Sequence, residues 1–374
     1  MAIELSSLTF TDEDDIVPVS GVEQILNTGI TNTFAGNDTI IGTDSNTGFV
    51  NRATLNTGDG NDAIIGNGGN TGFTSFGVPD GPFSINSEGV TINTGDGDDT
   101  IIGNGGAFGI SSYGYLDTGK GDDVITAIGS YSGAGLINLG ILNTDDGNDR
   151  ITAFGGFGIL NHGTINTGNG NDSLNCTDKT SNSGVIFLGE GDDSIITISY
   201  SKSNTTFENL NFTGTGNGND TITSNGVLYN QGIIETGNGD DSIIVTGGYD
   251  DITGTTYSID NNGGSINMGD GNDFIITYAG FKSGENNSGS VFLGEGEDYL
   301  YGSGSGDFYG GNGNDTLELT PGTYTVGIWG EGDTSVIFTK GNQFMITSEF
   351  EKLKAGSTIY DFTSLTAGQI IIVT

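Results

Sequence analysis

The chain has 374 residues, of which 69 are glycine and only 4 proline, and its 9 basic and 48 acidic side chains leave a formal net charge of −39. That charge excludes polyanionic partners, nucleic acid and anionic lipid among them, and invites cations. Glycine has no three-residue period, which excludes a collagen-like chain, and the single cysteine, Cys176, excludes an intrachain disulfide framework.

Residues 1–20 read MAIELSSLTFTDEDDIVPVS, with no positive n-region and no long apolar core. Neither a Sec-type signal peptide nor a membrane span is expected there, and the segment reads as an N-terminal cap or extension.

From 21 to 320 one unit recurs. The pattern GxGxD occurs ten times intact, as Gly58-Gly60-Asp62, Gly95-Gly97-Asp99, Gly119-Gly121-Asp123, Gly168-Gly170-Asp172, Gly189-Gly191-Asp193, Gly216-Gly218-Asp220, Gly237-Gly239-Asp241, Gly269-Gly271-Asp273, Gly294-Gly296-Asp298 and Gly311-Gly313-Asp315. Phe34-Gly36-Asp38 and Asp145-Gly147-Asp149 are degenerate copies that lack the first glycine. Two residues after each aspartate stands Ile or Leu, from Ile40 and Ile64 through to Leu317. Three before the first glycine stands a second apolar column, which includes Leu55, Ile92, Leu116, Leu142, Ile165, Ile186, Ile234, Ile266 and Val291. Seven before is a column of asparagine: Asn27, Asn51, Asn138, Asn161, Asn182, Asn209, Asn230, Asn262 and Asn287, broken by Glu88, Ser112 and Gly304.

Successive motif aspartates are 17 to 37 residues apart, mostly in the twenties, and the variable part follows the DxΦ segment (Φ, an apolar residue), as in Gly66–Gly89. A fixed core with an elastic remainder is a solenoid signature. Short stretches of alternating apolar and polar residues, punctuated by Gly, Asn and Asp, read as strands. One repeat per coil of a parallel β-helix would stack like residues ~4.8 Å apart. Buried asparagine amides would then form a ladder through the core.

Such stacking would also bring the aspartates together. Like charges ~5 Å apart repel by about 0.8 kcal/mol even in water, and by more near a protein surface. Glycines let main-chain carbonyls crowd the same turn. Carboxylate plus carbonyl oxygen is the donor set of a hard cation such as Ca²⁺. The competing reading is that Gly, Asn and Asp merely make good β-corners. It accounts for the glycine and asparagine, but not for one invariant acid in a chain this acidic.

The repeat resembles the GGxGxDxUx motif of the RTX, or hemolysin-type, calcium-binding family, and Gly310 to Glu318 matches it best. The resemblance implies several calcium ions held by the motif Asp side chains and Gly carbonyls. It also implies secretion by a type I ABC exporter and folding outside the cell when calcium is met. Family arrays carry tandem nonapeptides with two motifs per coil, whereas this chain has one motif in about two dozen residues. A single calcium column is therefore expected. The expected fold class is all-β, a right-handed parallel β-helix or β-roll solenoid with about one RTX-type motif per coil and a small β-rich C-terminal cap. The acids at the x positions, including Asp59, Asp96, Asp98, Asp122, Asp192, Asp240, Asp270, Glu295 and Glu297, read as solvated surface.

After about Thr320 the repeat stops, and TYTVGIW, TSVIFTK and NQFMITS alternate like ordinary strands. Residues 321–374 read as a cap that closes the solenoid, and they resemble the segment of RTX proteins in which an uncleaved export signal lies. Catalytic constellations are scarce. His162 is the only histidine, Arg52 and Arg150 are the only arginines, and no HExxH or GxSxG occurs. No enzyme is expected; the alternative is a calcium-dependent carbohydrate-active β-helix enzyme of lyase or epimerase type. Thr57, Thr94, Thr118, Thr144, Thr167, Thr215 and Thr236 precede motifs as an ice-binding row would, but Leu188, Met268 and Leu293 interrupt them, so they read as an inward corner column. Ile41, Ile65, Ile102, Ile196, Ile244 and Ile276 should face outward, either as an assembly stripe or beneath inserted loops. The resulting expectation is a secreted, calcium-binding structural or adhesive protein of the cell surface or matrix, with self-assembly or a surface polysaccharide as further partners.

Overall fold

The structure is a computed structural model that describes residues 2–18, 23–75, 90–199, 205–249, 256–282, 289–329 and 335–374. Two compact units, Met1–Ile195 and Ile196–Thr374, follow one plan. Each coil supplies three short strands, and each strand pairs in parallel with its counterpart in the next coil. Thr47–Asn51, Thr54–Asn56 and Ala63–Gly68 make one such coil. Their sheets are named here the asparagine sheet, the entry sheet leading to the motif and the exit sheet leaving it.

Register is set by identity. In the exit sheet Ile40 lies opposite Ile64, Ile64 opposite Ile101, and Ile101 opposite Ile125. In the entry sheet Leu55, Ile92, Leu116, Leu142, Ile165 and Ile186 align in the same way. Both columns are buried. A slip of one residue would turn every isoleucine to solvent, so period-two burial locks the stack. The third wall of the core is Ile25, Phe49, Phe73, Ile110, Leu136 and Ile159 in the asparagine sheet, all fully buried. Phe49 and Phe73 stack at 4.9 Å. The second unit repeats the arrangement with Leu228 and Ile259, Ile234 and Ile266, and Ile243 and Ile275.

Two residues beyond this third apolar column runs the asparagine ladder. Asn27 Nδ2 donates to Asn51 Oδ1 (2.8 Å), Asn138 to Asn161 (2.9 Å) and Asn161 to Asn182 (2.9 Å). In the second unit Asn209 donates to Asn230 and Asn230 to Asn261. Asn161 Nδ2 also reaches Val185 O at 2.9 Å, so a buried amide is satisfied both along and across the coil. Replacing Asn161 with Ala strips partners from Asn138, Asn182 and Val185 at once. At about 1–3 kcal/mol per orphaned buried group, the expected loss is on the order of 3 kcal/mol or more, measured as a drop in the chemical-denaturation midpoint.

The ladder departs from the sequence reading at two points. Its rung opposite Asn230 is Asn261, not Asn262, because the Gly263–Gly264 turn is one residue longer than its counterparts. Ser75 lies opposite Asn51, in place of the expected Glu88. Glu88 and Asn287 fall outside the described residues. Within Gly66–Gly89, Thr71–Ser75 is an ordinary asparagine-sheet strand, and 76–89 falls outside the described residues. A small hairpin, Gly248–Tyr249 paired with Thr256–Tyr257, does follow a DxΦ segment.

The stack also begins earlier and ends later than its motifs. Ala2–Glu4 pairs in parallel with Gln24–Leu26, so the first residues already form coil. At the far end Gln343–Ser348 pairs in parallel with Gly306–Tyr309, and Lys352–Ala355 with Thr316–Glu318. The expected C-terminal strands are present as Gly322–Trp329, Ser335–Lys340 and Gln343–Ser348, joined antiparallel, with Ile370–Val373 as the outermost strand. The fold is thus all-β, a parallel β-solenoid with a β-rich C-terminal cap. No helix of the described residues is long and apolar enough to cross a membrane.

Candidate functional site: the aspartate column

The motif turn owes its shape to close stacking. Gly58 and Gly60 have φ of +104° and +136°, and the same left-handed pair recurs at Gly95 and Gly97 and at Gly119 and Gly121. A Cβ at Gly95 would lie 1.9 Å from the carbonyl oxygen of Gly58, and one at Gly97 2.1 Å from that of Gly60. Only glycine fits where one turn sits on the carbonyls of the turn before it. The degenerate copies keep this backbone at a cost, since Phe34 and Asp145 hold φ of +77° and +58°.

All twelve predicted aspartates are buried: Asp38, Asp62, Asp99, Asp123, Asp149, Asp172, Asp193, Asp220, Asp241, Asp273, Asp298 and Asp315. Their Oδ1 atoms form a second ladder. The main-chain N–H of Asp38 donates to Oδ1 of Asp62 (2.7 Å), that of Asp62 to Asp99 (2.7 Å), Asp99 to Asp123 (2.8 Å), Asp123 to Asp149 (2.8 Å), Asp149 to Asp172 (2.7 Å) and Asp172 to Asp193 (2.7 Å). In the second unit the chain is Asp220 to Asp241, Asp273, Asp298 and Asp315, at 2.8 to 3.0 Å. Non-motif residues end it. Asp15 N–H donates to Asp38, and Asp315 N–H donates to Glu351 Oε2 at 2.7 Å. The sequence did signal Asp15, which precedes Val17 as the other aspartates precede Ile. Glu351 carries no such signal.

The residue before each aspartate builds a third ladder of opposite polarity. Asn61 N–H donates back to Asn37 Oδ1, Asp98 to Asn61, Asp122 to Asp98, Asn148 to Asp122, Asn171 to Asn148 and Asp192 to Asn171, at 2.8 to 3.0 Å. These side chains are exposed, as expected, but Asp98, Asp122, Asp192 and Asp240 are structural rungs as well as solvated charge. Asn or Asp at this position in all copies but one (Glu297) was the available signal.

The remaining oxygen of each carboxylate decides the chemistry. The Oδ2 atoms of Asp38, Asp62, Asp99, Asp123, Asp149 and Asp172 are buried and accept no hydrogen bond, as are those of Asp241, Asp273, Asp298 and Asp315. Corner threonines sit beside Asp62, Asp99 and Asp123 and ease their ionisation, but Thr57 and Thr94 give their protons to main-chain carbonyls and Thr118 has no partner. Thr57 Oγ1 donates to Thr94 O (3.1 Å), and Thr94 to Thr118 O (2.9 Å). These threonines are buried, so the row is an inward corner column and offers no exposed threonine face. No N–H among the described residues donates to the carbonyls of Gly58, Gly60, Gly95, Gly97, Gly119 or Gly121. No three acidic, histidine or cysteine side chains converge on one point among the described residues. The open donor set of these three turns is therefore one carboxylate oxygen and two main-chain carbonyls. That set fits the predicted ligands and suits a hard cation drawing most of its oxygens from the main chain.

Burial raises the pKa values of this column above the carboxylate norm. Desolvation is the largest cause throughout, with like-charge repulsion from neighbouring rungs added at several positions. Asp62, Asp241, Asp298 and Asp315 are pushed up to about 6, Asp99, Asp149 and Asp273 to about 7, and Asp123 to about 8. Without a cation the native state binds more protons than the unfolded chain above the ordinary aspartate value of 3.8. Stability of the chelated protein should then be full in acid and fall between about pH 4 and 8. A bound divalent cation favours the ionised form, so with calcium the slope should reverse. Thermal midpoints across that range, with and without chelator, check both signs.

The other polar candidates lie apart from this column. His162 is exposed, with Nδ1 2.5 Å from Ser183 Oγ. Arg150 is exposed and its Nε donates to Thr152. Cys176 is buried within the exit sheet, its thiol pushed up to about 12 by burial. Ile41, Ile65, Ile102, Ile196, Ile244 and Ile276 are half-exposed on the outer exit face.

No protein-family model matches the sequence, and no curated protein does. Among solved structures the chain is similar to the crystal structure of a hyperactive, Ca²⁺-dependent, β-helical antifreeze protein from an Antarctic bacterium. Identity is 18%, the TM-score 0.41, and 94% of each chain is covered. At that level the likeness assigns no function.

Proposed function

We propose that the protein is a calcium-stabilised, non-enzymatic β-solenoid that works outside the cell as a structural or adhesive component of a surface or matrix. The observation that carries the reading is the buried row of Oδ2 atoms that accept no hydrogen bond, in turns whose glycine carbonyls, from Gly58 to Gly121, also lack an N–H partner. A proton or a cation must answer each of them, and only a cation does so at a pH well above 8. Asp38, Asp62, Asp99, Asp123, Asp149, Asp172, Asp193, Asp220, Asp241, Asp273, Asp298 and Asp315 would hold the ions with the motif glycine carbonyls, and the ions supply charge neutralisation between coils. Calcium is scarce in the cytoplasm and plentiful outside, so such a chain would gain its stability after export. Passage through a type I exporter, the C-terminal segment serving as its signal, is the route that the RTX-like motif suggests. Isothermal titration of the chelated protein with calcium is the test. Saturable binding at several sites supports the reading, and absence of binding ends it.

One arrangement favours the carbohydrate-active alternative. The buried Asp260 carboxylate holds Lys282 Nζ at 3.0 Å on the outer asparagine face, and the ammonium lies 4.7 Å from the Tyr257 ring centroid. Incubation with neutral and uronate oligosaccharides, followed by chromatography of the products, separates the readings. Chain shortening that is lost in Lys282→Ala supports an enzyme.

A further inference from the structure

We propose that two copies of this chain associate through the outer face of the C-terminal antiparallel sheet. The sheet is formed by Gly322–Trp329, Ser335–Lys340, Gln343–Ser348 and Ile370–Val373. Its inner face is an ordinary core, with Tyr324, Val326, Phe338, Met345 and Ile371 each about 1% exposed. A sheet with one covered face normally turns polar residues to water on the other. Here the outer face carries Trp329, Phe344, Ile370 and Ile372, which are 59%, 50%, 64% and 66% exposed. Ile337 and Ile346 are opposed in register between them, and the remaining positions are threonine, serine or glycine. Among the described residues these four strands place no charged side chain on it; the nearest acid, Asp307, lies beside Ile346 on the adjoining parallel strand. Lys340, the nearest cation, turns to the inner side, where Nζ meets Pro321 O at 2.9 Å and lies over the Tyr324 ring.

The charge of the chain selects the occupant. Two molecules of net charge −39 repel over most of their surface, and a basic partner would be drawn to the aspartate and glutamate rows. A face whose four strands carry only apolar, hydroxyl and glycine positions offers little to such a partner, yet it meets its own copy with little local repulsion. Rotation about a two-fold axis packs this face against itself, sheet on sheet, in an isologous interface. Six large side chains of roughly 150–250 Å² each, about half exposed, present on the order of 500 Å² per copy. The pair would bury about 1,000 Å², at the lower end of specific interfaces. The outermost strand, Ile370–Val373, has no proline or charge to guard its edge. The inference is independent of the calcium reading.

Trp329 is the only tryptophan of the chain, so its fluorescence reports this face directly. In calcium-containing buffer, sedimentation velocity should show a monomer–dimer equilibrium in the micromolar range. Trp329 emission should shift to the blue, and acrylamide quenching should fall, over the same concentrations. Ile370→Glu with Ile372→Glu should weaken association at least a hundredfold and leave the thermal midpoint unchanged, because both side chains are exposed. Thr325→Glu, on the same face, should do likewise and serves if the double variant folds poorly. Ile141→Glu, an exposed site on the entry sheet of the first unit, should leave the dimer intact. A wild-type monomer at every concentration overturns the proposal, as does a dimer that survives the substitutions on the face. A wild-type monomer that floats with phosphatidylcholine vesicles overturns the second copy as occupant.

Discussion

Stripped of divalent cations at pH 8 or above, the protein is expected to lose its cooperative thermal transition and much of its far-ultraviolet β signal, and calcium alone is expected to restore both. The magnitude follows from the column. Neighbouring ionised aspartates ~4.8 Å apart repel by about 0.9 kcal/mol in water and about 3.5 kcal/mol at the effective dielectric of a protein surface. The first unit stacks Asp38, Asp62, Asp99, Asp123, Asp149, Asp172 and Asp193 in one such row. The N–H···Oδ1 ladder offsets part of that repulsion but leaves every Oδ2 charge in place. Each site filled at a hundred times its dissociation constant adds about 2.7 kcal/mol to the folded state, so three or four sites shift stability by about 8–11 kcal/mol, as much as a typical domain possesses. Differential scanning calorimetry with chelator, with calcium and with magnesium is the measurement. Equal midpoints in all three would defeat the cation reading and leave a proton-satisfied column.

The second large effect separates ladder from ligand at a single residue. Asp123 accepts the Asp99 N–H through Oδ1 at 2.8 Å, and its Oδ2 has no partner. The neighbouring Thr118 hydroxyl is also buried without one. Asp123→Ala removes the acceptor and orphans the Asp99 N–H, at a cost of about 1–3 kcal/mol with or without calcium. Asp123→Asn keeps the Oδ1 acceptor and gives Thr118 a donor. In chelator this variant should match or exceed the wild type above pH 8, because a neutral amide replaces a carboxylate whose charge is suppressed by burial. In calcium it should fall below the wild type by the affinity of at least one site, about 2–3 kcal/mol at saturating calcium. Denaturation midpoints of the three proteins under both conditions give the comparison. An Asp123→Asn protein as calcium-responsive as the wild type would remove Asp123 from the ligand set.

Much of this was legible because a solenoid writes its third dimension into its period. Leu55 and Ile92 share a column because they share an offset from a glycine turn, and parallel pairing maps equal offsets onto one another. The asparagine and aspartate columns were readable for the same reason. The phenylalanine-rich third column was missed although it stands two residues before each asparagine, since Phe49, Phe73, Ile110 and Leu136 differ in kind and share only their burial. Insertions hid more. One extra turn residue moved a rung from Asn262 to Asn261, a change that no count from the following motif could reveal.

The sequence by itself determined the coil register, the two isoleucine and leucine columns, and the acid that every turn repeats, because a stack of equivalent coils must satisfy the same burial and backbone constraints at each level. Only the tertiary structure decided what the two oxygens of that acid do, with Oδ1 spent on the preceding coil's amide and Oδ2, as at Asp62 and Asp123, sealed without a donor. It also decided how the rows end, with the Asp15 amide at one end and the Glu351 carboxylate at the other, and which face of the C-terminal sheet the chain itself leaves uncovered. Periodicity fixes what repeats. The ends of a stack, the direction of a hydrogen bond and the covering of a sheet face depend on residues brought together once, and a chain need not repeat what it uses once.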